Sequence, residues 1–102
     1  MNENEMNITP AADHNIARFN RLEDYALKAS RFINGSLCTT AENAEENINV
    51  VKLSVPKDTE IDKVAMHYVY RAAYASDKFV PTAGVDGSTA FLFYVDMASP
   101  YV

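Results

Sequence analysis

Apolar positions along this chain fall into two helical repeats and several shorter, alternating runs. In the first repeat Ile16, Phe19, Leu22, Ala26, Ala29 and Ile33 recur at three- and four-residue steps, with Tyr25 and Phe32 on the flank. Asn20, Arg21, Asp24, Lys28 and Arg31 lie opposite, which predicts an amphipathic helix with one face on a core and one in water. Thr9-Pro10 suits its entry, because threonine caps helices and proline fits the first helical position; Asp13 is the rival cap. Asn34-Gly35 suits its end, because glycine accepts the left-handed backbone that terminates helices.

The second repeat, over 61–78, is apolar around most of its circumference. Ile61, Val64, Ala65, Tyr68 and Ala72 form one stripe, and Met66, Val69, Tyr70 and Ala73 form another beside it. Such a helix is expected to be buried on nearly all sides. Thr59-Glu60-Ile61-Asp62 has the form of a capping box with Asp in place of Glu, which predicts a start at Thr59. The remaining strip carries Lys63, His67, Arg71, Tyr74 and Lys78, within roughly a quarter-turn of one another at about 100° per residue.

Between and after the helices the period shortens to two. Ile48–Val55 places Val51, Leu53 and Val55 on one face and Ile48 and Val50 on the other, and Pro56 ends it. Residues 89–97 form the strongest predicted strand, with Phe91, Phe93, Val95 and Met97 on one face and Ala90, Leu92 and Tyr94 on the other. Apolar residues on both faces predict a central strand, or one covered by a second subunit. The runs 36–40 and 79–83 are weaker; Pro81 assigns the latter to an edge. The acidic segment 41–47 lacks apolar periodicity and is expected as an exposed loop or a single helical turn. Gly84-Val85-Asp86-Gly87-Ser88 is expected as a turn.

The element order predicts a two-layer α+β domain, a small mixed or antiparallel sheet packed against two helices, over residues 9–102, with a flexible tail over 1–8. A right-handed parallel crossover between Ile48 and Met97 is one possible connection.

Composition narrows the function classes. The chain has 102 residues, 48% of them hydrophobic, and a formal net charge of −5, which disfavours a surface built to grip nucleic acid. One cysteine, Cys38, excludes an internal disulfide and a cysteine-based zinc site within one chain. His14 and His67 lack metal-ligand spacing, so neither a metal nor a cofactor is expected. No apolar run reaches the length of a membrane span, and a cytoplasmic protein is expected.

Candidate chemistry is sparse. GVDG at 84–87 lacks the lysine and following helix of a phosphate loop. A Ser88, His67 and Asp86 or Asp96 triad can be drawn only on paper, and no catalytic residue is assigned. The strip Lys63, His67, Arg71, Tyr74 and Lys78 is the candidate anion- or partner-binding site, the bland alternative being a solvated helix face. Tyr68, Tyr70, Leu92 and Tyr94 are candidate interface residues, since the apolar surface exceeds what two layers of a short chain cover; a symmetric homodimer would resolve the excess. Glu42, Glu45 and Glu46 are a candidate acidic surface for a partner. Together these features predict a non-enzymatic protein-interaction module, such as a small phage- or plasmid-borne inhibitor, adaptor or regulator. The alternative is a binding module for an anionic ligand, nucleotide or RNA through the basic strip.

Overall fold

The two central strands of the sheet each bury one face, and both helices pack on that face. The computed structural model describes residues 10–43 and 48–97. Its order is α1 (Pro10–Arg31), β1 (Leu37–Asn43), β2 (Ile48–Val55), α2 (Lys63–Ala75), β3 (Lys78–Ala83) and β4 (Thr89–Asp96). The fold is α+β: a four-stranded sheet of order β1-β2-β4-β3 packed against two helices. The proposed tail over 1–8, the Thr9 cap and residues Glu45 and Glu46 lie outside the described residues.

Every pairing is antiparallel, with β1 on β2, β2 on β4 and β3 on β4. The expected parallel crossover is therefore not a paired one. Strands β2 and β3 run the same way and are joined through α2, but β4 lies between them and pairs with both. A two-sided strand belongs in the middle of a sheet, as β4 is, and the proline-bearing β3 is at an edge.

Register explains the core. Val51 opposes Phe93 and Leu53 opposes Phe91, so these side chains share the face that meets the helices. Val51, Leu53, Phe93 and Val95 are fully buried there, together with Leu22, Ala26 and Ala29 of α1 and Ala65, Val69 and Ala72 of α2. Burying a side chain the size of Leu, Val or Phe stabilises by about 1.5–3 kcal/mol. Phe79 stacks on Phe93 with ring centroids 5.1 Å apart, which closes the β3 end of the core.

Several boundaries differ from the pattern-based expectation, each for a local reason. On α1 the fully buried position is Asn15, whereas Ile16 is 51% exposed. Asn15 is in line with Leu22, Ala26, Ala29 and Ile33; Ile16 is turned about 100° away. Helix α2 is buried on one face rather than all round: Val64 and Tyr70 are exposed. Its cap is Asp62, not Thr59, and the Asp62 carboxylate accepts a hydrogen bond from the Ala65 N–H at 2.8 Å. It ends at Ala75, three residues early, because the chain turns to join the sheet. Ser76 is extended, and the Asp77 N–H donates to the Tyr94 carbonyl at 2.7 Å. Segment 41–47 was expected as a loop or turn, but β1 continues to Asn43, since the ladder with β2 runs as far as Asn43 opposite Ile48.

The 84–88 segment is a turn. The Gly84 N–H donates to the Ser88 carbonyl at 2.7 Å, and Gly87 has φ +86°. The Asp86 carboxylate accepts from the Ser88 hydroxyl at 2.6 Å and the Ser88 N–H at 3.0 Å. Those bonds hold the carboxyl below its ordinary pKa. Among the described residues, no helix is long and apolar enough to cross a membrane.

The cap assignment has a direct check. Asp62→Ala should cost about 0.5–2 kcal/mol in chemical denaturation. Thr59→Ala should stay within about 0.5 kcal/mol of the parent, as ordinary surface substitutions do. The reverse order would restore Thr59 as the cap.

A cationic, tyrosine-lined cleft between the helices

The two helices face one another through small residues. Ala26 and Ala29 on α1, and Ala65 and Ala72 on α2, are fully buried, and small side chains at a helix contact allow close approach. Close approach also brings together the flanks beside the contact. There the helices enclose an open cleft of about 430 Å³. Helix α1 contributes Arg18, Arg21 and Tyr25, at steps of three and four residues. Helix α2 contributes His67, Tyr70, Arg71, Tyr74 and Ala75. Three guanidiniums and an imidazole thus converge in a protein whose formal charge is −5.

At its inner end the cleft is tied to the sheet. Arg18, 14% exposed, places Nη2 at 2.6 Å from Asp77 Oδ1. The approach is close but not aligned as a hydrogen bond, and the buried Arg18 Nε has no acceptor among the described residues. The other Asp77 oxygen accepts the Asp96 N–H at 2.7 Å. Asn15, one turn before Arg18, donates from Nδ2 to the Asp96 carbonyl at 3.4 Å, and its Oδ1 has no partner among the described residues. Asn15, Arg18, Asp77 and the β4 terminus therefore form one polar assembly at the edge of the core.

The candidate strip is divided by this arrangement. His67, Arg71 and Tyr74 line the cleft. Lys63 is exposed at the first position of α2, on the same helical face as His67 but outside the lining. Lys78 is not on the helix at all. It belongs to β3, and its ammonium lies 5.9 Å from the Tyr94 ring centroid.

The candidate interface residues occupy three different places. Tyr70 is in the cleft. Tyr68 stacks on Phe32 at 6.0 Å and meets the edge of His67 at 5.3 Å, with the Lys28 ammonium over its ring at 5.9 Å. Leu92 and Tyr94 lie on the sheet face away from the helices, since their neighbours Phe91 and Phe93 point into the core. Of the candidate acidic residues, Glu42 is on β1, where it pairs with Asn49 near the start of β2.

Arg18, Arg21 and Tyr25 were not in the sequence-derived site. The available signal was the polar pair Asn15 and Arg18, which continues the buried stripe of α1 in place of apolar residues. Of the remaining reactive groups, Cys38 is half-buried, and burial, with Glu23 nearby, pushes its thiol above the ordinary pKa. That suppresses the thiolate. Asp86 and Ser88 belong to the β3–β4 turn, and the cleft that holds His67 is lined by neither. Among the described residues, no group of three His, Cys, Asp or Glu side chains could hold a metal ion. No protein-family model, curated protein or solved structure matches the chain.

The Arg18–Asp77 contact sets an expectation for stability. Asp77→Ala removes the counter-charge of a mostly buried guanidinium and an acceptor for the Asp96 N–H. The loss should be roughly 1.5–3 kcal/mol by denaturant titration. An unchanged midpoint would show that the pair contributes nothing.

Proposed function

We propose that this protein is a binding module for a small anionic ligand of the phosphate class, held in the cleft between α1 and α2. The observation that supports the reading is the convergence of Arg18, Arg21 and Arg71 in one concavity of an acidic protein. Guanidiniums present paired N–H donors that match phosphate oxygens. Asp77 engages Arg18, while Arg21 and Arg71 form no ion pair among the described residues. These two are therefore the donors assigned to the ligand, with the His67 imidazole beside them. The cleft's volume falls in the range of about 300–1,000 Å³ typical of small-molecule sites. The role is binding rather than catalysis.

Arg21 and Arg71 are both exposed, so their replacement should leave the fold intact. Each of Arg21→Ala and Arg71→Ala should weaken binding of inorganic phosphate about tenfold or more by calorimetry, with the thermal midpoint little changed. Equal affinity in parent and double variant would overturn the cleft as the site.

A second reading, as a protein-interaction module, is favoured by the open face of the sheet. Val50, Val80, Leu92 and Tyr94 are neighbours there by register and only half-buried. The β1 edge beside them has neither proline nor lysine to deter pairing. The partner we assign to this face is a second copy of the chain, and such a homodimer would serve an inhibitor, adaptor or regulator of another protein. Light scattering across a concentration series should give twice the chain mass, and Leu92→Lys should return it to one. A constant single-chain mass for the parent would dismiss the dimer.

A further inference from the structure

The cleft is aromatic as much as cationic, and that narrows its occupant. We infer that the ligand is a nucleoside monophosphate, its base stacked on the tyrosines and its phosphate on the arginines. The inference rests on the anion-binding reading above and specifies it.

Helix α2 presents two parallel rows to the cleft. Tyr70 and Tyr74 are four residues apart and so lie one turn apart on one face; His67 and Arg71 have the same spacing and form the row beside them. A ligand lying along the helix would therefore meet rings on one side and cations on the other. Tyr70 and Tyr74 are 57% and 89% exposed, far more than a core-filling role requires. Large aromatic surface left in water beside a cationic concavity favours a flat apolar ring that arrives with a negative charge attached. A nucleotide has that form, and its base presents a stacking face to tyrosine whatever the base.

Charge sets the number of phosphates. With Arg18 engaged by Asp77, Arg21 and Arg71 supply two positive charges, which match the charge of about −1.5 to −2 on one phosphate monoester at neutral pH. The same count argues against a polymer. A nucleic acid strand needs a cationic track beyond the cleft, and the rest of this chain is acidic enough to bring the total to −5.

Affinities of AMP, GMP, ribose 5-phosphate, inorganic phosphate and adenosine for the full chain, measured by calorimetry, test the inference. The nucleotides are expected to bind at least about tenfold more tightly than ribose 5-phosphate or inorganic phosphate, and more tightly than adenosine. Tyr70→Ala with Tyr74→Ala should abolish the preference for nucleotide over ribose 5-phosphate, and the paired Phe substitutions should restore it. Both rings are exposed, so the thermal midpoint should barely move. Equal binding of AMP, ribose 5-phosphate and phosphate would overturn the nucleotide inference and leave the anion site standing. Adenosine binding as well as AMP would also overturn it, since the phosphate would then contribute nothing. No binding by any phosphate compound would remove both.

Discussion

One carboxylate, that of Asp77, joins three parts of the chain that apolar packing alone would leave free to slide. It follows α2 directly, pairs with Arg18 of α1 and accepts the backbone N–H of Asp96 at the end of β4. Its own N–H donates to the Tyr94 carbonyl, so the residue is fixed from both its backbone and its side chain. Hydrophobic contact is non-directional and sets no helix register by itself. A charge pair with one partner mostly buried does, because leaving the guanidinium without its counter-ion is costly. The contact ties α1 to the segment between α2 and β3, beside the cleft.

A second constraint is that only one face of the sheet is covered. Two helices suffice to bury Val51, Leu53, Phe91, Phe93 and Val95. They leave the opposite face, with Val50, Val80, Leu92 and Tyr94, half-exposed. The close approach of α1 and α2 through alanines likewise moves their larger side chains to the flanks. Polar function is thus displaced to the groove beside the helix contact, and apolar surface to the back of the sheet. The two proposed surfaces lie on opposite layers, so occupation of one does not block the other.

Much of this architecture was legible in the sequence because burial has a period. The alternation in Val51, Leu53 and Val55 and in Phe91, Phe93 and Val95 marked β2 and β4 and their inward faces. Pro81 marked an edge for a stated chemical reason. Legibility failed where a non-local bond decided the outcome. The helical pattern over 61–78 carried no sign that Asp77 and Lys78 would leave the helix to pair with Tyr94. The capping-box pattern pointed to Thr59, whereas the bond from the Ala65 N–H goes to the Asp62 carboxylate. On α1 the apolar count favoured Ile16, whereas the stripe that meets the core runs through Asn15 and Arg18. Three of the eight residues lining the cleft come from that helix. A pattern read one helix at a time could find the cationic row of α2 but not the arginines placed opposite it by packing.

The most direct test of the central claim is a map of backbone amide shifts as AMP is added to the isotope-labelled protein. The cleft account predicts saturable shifts centred on Arg18, Arg21, Tyr25, His67, Arg71 and Tyr74, with β1 and the β3–β4 turn undisturbed. Shifts confined to the open face of the sheet, or none at millimolar nucleotide, would contradict it.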